Sequence, residues 1–392
     1  VSAEDAPYVK LVNVILAESI KEDSTDIHIE PGKINLSVRI RIDGVLTQIM
    51  SPPMTSLNGI ITRIKILSKL NIAEHRLPQD GRMKIKTADR DVDVRVSILP
   101  TVHGEKVVLR LLGSGGKELT LSNLGFPEDK LKKFRKWINQ PYGMIIISGP
   151  TGSGKSTTLY AALQEIYSEN INITTVEDPV EYQIPGINQI QIHDKIGLTF
   201  SRSLRSILRQ DPDVLLIGEI RDEETANIAV KFALTGHLVF STVHANDAPS
   251  TIARLLDLGI PPFLLGSSLN LVMAQRLVRT IDKNAKEEYT PSDNELERSG
   301  LSKKDAQETT FYRGKPTNDN HQTGYKGRTA IHEILEVNKE MRQYIFDEKN
   351  ANDIYNLAKE QGMTPLREAA LGKVKSGETT IEEILRATVE DN

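Results

Sequence analysis

The stretch Gly149-Pro150-Thr151-Gly152-Ser153-Gly154-Lys155-Ser156 matches the pattern G-x-x-x-x-G-K-[ST] at every fixed position. An apolar run at 144–147 leads into it, and good helix formers follow from 157 to 163. The sequence therefore predicts a strand, a glycine-rich loop and a helix. The glycines let backbone N–H groups turn toward a phosphate, and the new helix adds its positive N-terminal end. This arrangement indicates a phosphate-binding P-loop and argues against a glycine-rich turn that fits by chance.

Two side chains of the loop have defined roles in this prediction. Lys155 supplies a positive charge for the β- and γ-phosphates of a nucleotide, and the Ser156 hydroxyl is a candidate ligand for Mg²⁺. We expect the nucleotide to be bound by Gly149, Thr151, Gly152, Ser153, Gly154, Lys155, Ser156 and Thr157.

The composition fits a globular protein and argues against several functional classes. The chain has 392 residues, 39% hydrophobic and 26% charged, which is enough for two or three domains. Its net charge of −4 gives no basic character that would indicate nucleic-acid binding. It has no cysteine, so neither disulfides nor a cysteine-based metal site can form, and no apolar run approaches membrane-spanning length. We expect a cytoplasmic enzyme.

Residues 1–112 carry the patterns of a small α+β domain. Apolar residues repeat at helical spacing over 7–23 and 57–70, and they alternate with polar residues over 34–42 and 92–98, where we expect strands. The polar faces of the predicted strands carry arginines. These are either solvated surface side chains or residues that reach the phosphates bound by a neighbouring domain or subunit. They are Arg39, Arg41, Arg95 and Arg110.

A flexible linker is predicted at 113–122, where glycine and serine are concentrated. It separates the first module from a second domain at 123–392, and we expect inter-domain motion across it. The order of apolar strands and intervening helices in the second domain predicts a parallel, helix-flanked sheet of the α/β class.

Acidic residues follow two of the predicted buried strands. Glu177 comes directly after the run 171–176, and Glu219 follows the run 214–217 after one glycine. Ligands bind at the carboxyl ends of parallel strands, so we expect Glu177 to hold Mg²⁺ or orient water, with an ordinary loop acid as the alternative. Glu219 is a candidate to position or deprotonate the attacking water.

Two histidines bracket the predicted strand at 238–243. We expect a sensing or phosphate-contacting role for at least one of His237 and His244, the alternative being purely structural histidines.

Taken together, these motifs resemble the hexameric secretion ATPases of type II secretion and type IV pilus assembly. The resemblance covers nearly the whole chain, and several distinct motifs occur in the same order. The matching segments are 24–31, 76–82, 149–156, 175–181, 209–222 and 235–247.

The resemblance implies a RecA-like P-loop domain with a parallel sheet, preceded by a PAS-like module at 1–112. It implies ATP as the substrate and Mg²⁺ held by Ser156, Glu177 and Glu219. The implied catalytic residues are Glu219, Glu177, Arg95, Arg110 and His244, and His237 belongs to the same histidine motif. Weaker candidates for phosphate or subunit contacts are Arg205, Arg209, Arg221 and Arg254.

The resemblance also implies partners. Six subunits would form a ring, and ATP turnover would act on a platform protein of the inner membrane that adds pilin subunits to a fibre. The chain would then be cytoplasmic and associated with the membrane through its partners, without nucleic acid. The motifs favour assembly over retraction. The alternatives are a retraction motor, a RecA-like nucleic-acid translocase and a nucleotide-gated scaffold with little turnover.

The region 280–328 departs from the family pattern. Many members carry two C-x-x-C pairs that bind zinc here, but the corresponding positions are Asp282, Ala285, Thr317 and Asn320. We therefore expect no zinc and a metal-free subdomain. Helical spacing predicts a helical tail over 329–392, beginning with Ile331, Ile334 and Leu335. Because the chain begins with Val1 close to the PAS-like module, we expect it to be the core fragment of a longer protein.

Overall fold

The computed structural model describes residues 6–113 and 119–388. The chain divides into two compact units, Val1–Glu118 and Leu119–Asn392. Of the predicted linker, residues 114–118 lie outside the described part, and Leu121–Asn123 form a short 3₁₀ turn. Among the described residues, no helix combines the length and the apolar character needed to cross a membrane.

The first unit is a six-stranded antiparallel sheet packed against two helices. Its strand order is β3-β2-β1-β6-β5-β4. The alternating runs predicted as strands form β2 and β5, because one face of each strand is buried and the other is polar. The elements are α1 (Ala6–Lys21), β1 (Asp26–Pro31), β2 (Leu36–Ile42), β3 (Val45–Met50), α2 (Leu57–Leu67), β4 (Gln79–Lys86), β5 (Asp91–Thr101) and β6 (Gly104–Leu112).

The second unit is built on a seven-stranded sheet. Its order is β15-β12-β7-β11-β10-β8-β9, parallel from β12 to β9, with β15 antiparallel at one edge. The strands are β7 (Gly143–Ser148), β8 (Ile173–Glu177), β9 (Asn188–Gln191), β10 (Val214–Ile217), β11 (Leu238–Val243), β12 (Leu269–Ile281) and β15 (Tyr325–Glu336). The predicted α/β class with a parallel sheet is confirmed.

Helices cover both faces of this sheet. Every residue of β7 is buried, with Met144 and Ile146 in one hydrophobic core and Ile145 and Ile147 in the other. A strand that is buried on both faces is continuously apolar, as the sequence shows here. The first helices are α3 (Glu128–Ile138), α4 (Lys155–Ile166), α5 (Phe200–Ile207), α6 (Glu223–Leu234), α7 (Ala248–Asp257) and α8 (Pro262–Ser268).

The polar region 280–328 forms a small subdomain closed by hydrogen bonds. The buried Asn320 side chain donates from Nδ2 to Asp282 Oδ2 (3.1 Å) and to the Lys315 carbonyl (2.9 Å), and its Oδ1 accepts from the Thr317 amide (2.9 Å). Its elements are β13 (Lys286–Glu288), α9 (Asp293–Ser299), α10 (Lys303–Glu308) and β14 (Tyr312–Gly314).

The start of the predicted helical tail is a strand. Residues 329–336, including Ile331, Ile334 and Leu335, belong to β15, which pairs with β12 along most of its length. Residues 269–275 of β12 and 330–335 of β15 are buried, so these stretches lack the alternation of polar and apolar residues that separates strands from helices in a sequence. The helices begin only at residue 339 and are α11 (Lys339–Phe346), α12 (Ala351–Glu360), α13 (Leu366–Lys375) and α14 (Ile381–Ala387).

Candidate active site

The glycine-rich loop connects the carboxyl end of β7 to the first turn of α4. Gly154 is the N-cap of α4 and has φ +83°, a conformation that L side chains rarely adopt. A Cβ at Gly154 would lie 2.8 Å from Gln275 Nε2, and one at Gly149 would lie 2.6 Å from the Gln275 carbonyl. The loop therefore needs glycine at both positions, because Gln275 of the neighbouring strand β12 lies close to the loop backbone.

Gln275 holds the loop from the neighbouring strand. Its Nε2 donates to the Ser153 carbonyl (2.9 Å), and its Oε1 accepts from Thr158 Oγ1 (2.8 Å). The side chain is only 1% exposed, so these contacts are made away from water. Sequence reasoning missed Gln275 because its partners, Ser153 and Thr158, lie more than a hundred residues earlier in the chain. The signal that could have found it is a polar pair, Gln275-Arg276, interrupting a long apolar run.

Lys155 points back across its own loop. Its Nζ donates to the Gly149 carbonyl (2.6 Å) and lies 3.3 Å from His244 Nδ1. Burial lowers the pKa of Lys155 from 10.5 to about 8, with Glu219 opposing the shift and the nearby Arg276 cation adding to it. The group is therefore mostly cationic at neutral pH and loses its charge in mildly alkaline solution.

Glu219 lies between a histidine and an arginine. Its Oε1 is 3.2 Å from His244 Nε2, and its Oε2 accepts from Arg221 Nε (2.7 Å). A neutral His244 with its proton on Nε2 donates to Glu219 and accepts from Lys155 at Nδ1, which also lies 3.3 Å from the Gly149 carbonyl. An unbroken line of contacts thus runs from Lys155 through His244 to Glu219 and Arg221.

Glu177 is buried and already engaged by hydrogen bonds. Tyr160 of α4 donates its hydroxyl to Oε1, and Thr175 Oγ1 donates to Oε2 (2.6 Å). Burial nevertheless raises the pKa of Glu177, because the hydrogen bonds offset only part of the cost of desolvating a carboxylate. Glu177 is thus tied to the helix that follows the P-loop.

A cleft brings together the three side chains predicted to hold Mg²⁺. Ser156, Glu177 and Glu219 line it together with Tyr160 and Asp178. A hydroxyl and two carboxylates at one sheet edge are oxygen ligands of the kind that Mg²⁺ prefers, so the residues fit the ion.

The other candidates of the second unit divide between the site and its surroundings. Arg221 joins the site, and Arg254 lines an open groove with Thr151 and His244. His237 lies at the opposite end of β11, where its Nδ1 is 3.0 Å from the Phe232 carbonyl. Of the two histidines, only His244 is therefore placed beside the P-loop. The remaining two arginines lie on or just after α5: Arg205 forms an ion pair with Glu224, and Arg209 contacts Ser206.

The candidate arginines of the first unit lie on the polar face of its sheet. Asp26 stands opposite Arg41 on one side and Arg110 on the other, and Arg110 stands opposite Arg95. Arg110 Nε donates to Asp26 Oδ1 (3.1 Å), while Arg39 is ion-paired to β1. The side chain of Arg110 remains 61% exposed. Arg41, Arg110 and Arg95 thus form a row across four adjacent strands, with one acid among them.

Comparison with known proteins places the chain in a family. A family model described as type II/IV secretion system protein matches residues 1–386. The chain is 49% identical over 387 residues to a type II secretion system protein E of Xanthomonas campestris, covering 98% of this chain and 68% of that protein. It is 47% identical over 395 residues to the type IV pilus assembly ATPase PilB of Myxococcus xanthus, covering 100% and 69%.

Two solved structures share the fold. The Legionella pneumophila ATPase DotB superposes with a TM-score of 0.71 at 20% identity, over 95% of this chain and 94% of that one. The pilus retraction motor PilT superposes with a TM-score of 0.64 at 24% identity, over 96% of each chain. The family match over residues 1–386, with relatives 47–49% identical, shows that the chain belongs to the type II/IV secretion system protein family.

Proposed function

We propose that this chain is a Mg²⁺-dependent ATPase that powers filament assembly, either of type IV pili or of a type II secretion machine. The line of contacts from Lys155 through His244 to Glu219 carries the proposal. It joins the cation of the P-loop, through one imidazole ring, to a carboxylate at the same sheet edge. Relatives named for these two machines match along the whole chain, which supports the choice of process.

The P-loop supplies most of the nucleotide binding in this proposal. Backbone N–H groups of the loop and of the first turn of α4 would face the phosphates, aided by the positive end of α4. Lys155 exchanges the Gly149 carbonyl for a phosphate oxygen, which is a stronger partner for an ammonium group. The hydrogen bonds of Gln275 keep the loop in shape while Lys155 moves.

The cleft beside the P-loop offers oxygen ligands for Mg²⁺. Ser156, Glu177 and Glu219 would hold the ion, which would neutralise charge on the phosphate oxygens. Hydrogen bonds from Tyr160 and Thr175 fix the Glu177 carboxylate in the wall of the cleft, from which it would contribute to holding the ion.

Glu219 is the proposed general base. It takes a proton from water as the water oxygen attacks the γ-phosphorus and the bond to the ADP oxygen breaks, yielding ADP and phosphate. Each Glu219 oxygen has a partner in this structure and can accept a further hydrogen bond, which the attacking water would donate. His244 touches both Lys155 and Glu219, and we propose that it links phosphate binding to the position of the base.

Two arginines of the first unit have a proposed role in phosphate binding. Arg95 and Arg110 would reach the phosphates, which requires exposed guanidinium groups on a sheet face, as the 61% exposure of Arg110 illustrates. We propose a ring of six subunits at the cytoplasmic side of the inner membrane, bound to a platform protein. Assembly is favoured over retraction, because the relatives named for assembly and secretion are 47–49% identical to this chain.

The first test is ATP hydrolysis by wild type and Lys155→Ala, with oligomer size measured on the same samples by light scattering. The proposal predicts that Lys155→Ala abolishes binding and turnover, whereas Lys132→Ala, an exposed lysine of α3, behaves as wild type. Specific activity should rise as hexamers form. Normal hydrolysis by Lys155→Ala would refute the P-loop assignment, and strong stimulation by DNA or RNA would indicate a translocase instead.

A further inference from the structure

A buried glutamate outside the predicted motifs joins two helix N-termini. Glu333 lies on β15 and is 2% exposed. Its Oε1 accepts from the Ala248 amide (2.8 Å), and its Oε2 accepts from the Leu366 amide (2.9 Å). These residues are the first of α7 and of α13. One carboxylate therefore satisfies the starting amides of two helices that lie more than a hundred residues apart in the chain.

The hydrogen bonds between the Glu333 carboxylate and the two helix amides are strong and specific. Burying a carboxylate costs free energy unless cations or hydrogen-bond donors surround it. Helix N-termini offer both N–H donors and partial positive charge. Each oxygen of Glu333 has its own helix, so neither helix start can shift without breaking a charge-assisted hydrogen bond.

The segment that Glu333 holds carries the histidine of the active site. Ala248 lies four residues after His244, at the end of the connection from β11 to α7. Arg276 holds the same connection from β12: its Nη2 donates to the Asn246 carbonyl (2.5 Å). Residues 245–248 are thus fixed by one charged side chain from each of two adjacent strands, and His244 enters the site from a fixed position.

We infer that Glu333 is a positioning residue that sets His244 against Glu219 and ties this arrangement to the C-terminal helix α13. The inference rests on the proposed function and goes beyond it, because Glu333 itself touches neither the P-loop nor Glu219 in the contacts above. A displacement of the start of α13 acts on His244 through the single carboxylate of Glu333.

Steady-state kinetics of Glu333→Gln provide the test. The amide side chain keeps the size but presents N–H₂ to one of the two helix amides, so one contact is lost. We expect kcat to fall about tenfold or more, because small misplacements of catalytic groups have effects of this size. KM for ATP should stay within about twofold, because Gln275 holds the P-loop independently of Glu333.

The matched control is Glu336→Gln, three residues along the same strand. Glu336 contacts Trp137 and Lys133 rather than the histidine connection, so kcat should not change. Amide hydrogen exchange at 245–250 and 364–369 should be faster in Glu333→Gln and unchanged in the control. Faster exchange with an unchanged kcat would overturn the inference, because Glu333 would then be structural only.

A second variant covers the case in which Glu333→Gln does not fold. Arg276→Lys keeps the positive charge, but its single ammonium group cannot span the Asn246 and Gln275 carbonyls as the guanidinium group does, so kcat should fall as in Glu333→Gln. Wild-type kcat in Arg276→Lys would then overturn the inference. A wild-type protein without ATP hydrolysis would refute both the proposed function and the role of Glu333. An active wild type, with variants whose kcat is unchanged, would refute only the role of Glu333.

Discussion

The affinity of the P-loop for ATP should fall as the pH rises from 7 to 9. Burial lowers the pKa of Lys155 to about 8, so the free protein loses the ammonium charge within this range. The charged fraction falls from roughly 0.9 at pH 7 to roughly 0.1 at pH 9, whereas a lysine with the ordinary pKa would stay charged. If only the ammonium form binds the phosphates well, Kd rises roughly tenfold over these two units.

Equilibrium binding of a fluorescent ATP analogue measures this change without interference from turnover. The analogue should be non-hydrolysable and the protein should keep Glu219, because the Glu219 carboxylate opposes the lowering of the Lys155 pKa. The control is Lys155→Arg with the same analogue. A guanidinium group stays protonated throughout this range, so its Kd should change far less between pH 7 and 9, whatever its absolute value.

A flat profile in the Lys155 protein would refute the reasoning. It would mean either that Lys155 keeps an ordinary pKa or that its charge contributes little to phosphate binding. An equal rise of Kd in the Lys155→Arg control would also contradict it, because another group would then be titrating.

Three further predictions follow from contacts of the second and first units. Gln275→Ala should destabilise the protein by about 1–3 kcal/mol in denaturant unfolding, because it leaves the Ser153 carbonyl and Thr158 hydroxyl without their buried partner, and ATP affinity should fall with it. Burial lowers the pKa of His332 from 6.5 to about 3, so the folded protein keeps this histidine neutral. The stability that depends on neutral His332 is present above pH 6.5 and is lost as the pH falls below it; the free energy of unfolding should drop by about 2 kcal/mol between pH 7 and 5. His332→Phe keeps the ring stacked on Phe126 and should lose less stability over that range. Arg110→Ala should slow hydrolysis while changing the free energy of unfolding by about 1 kcal/mol or less, because the Arg110 side chain is 61% exposed and the buried Asp26 keeps Thr25 and Arg41 as partners; an unfolded variant would contradict this.

Local sequence was sufficient for the parts of the site that lie next to one another along the chain. The P-loop is contiguous, and Glu219 and His244 each follow a buried strand directly or after one glycine. Because the strands are parallel, their carboxyl ends meet at one edge, and the structure places Lys155, His244 and Glu219 in contact there.

The parts that sequence reasoning missed depend on pairing between distant segments. Gln275 and Arg276 reach the loops only because β12 lies beside β7, more than a hundred residues earlier in the chain. The strands β12 and β15 are buried runs, and a buried apolar run has no period that separates strand from helix. Glu333 is visible in the sequence as one acid among apolar residues. The helix-start partners described above are backbone amides, which no pattern of side chains reveals.

The most direct test of the central claim is phosphate release by Glu219→Gln, with ATP binding measured on the same sample. The account places the general base at Glu219, so it predicts near wild-type binding and a loss of hydrolysis of about a hundredfold or more. Wild-type phosphate release by Glu219→Gln would contradict the account, because the contacts from Lys155 through His244 would then end at a carboxylate that plays no part in the chemistry.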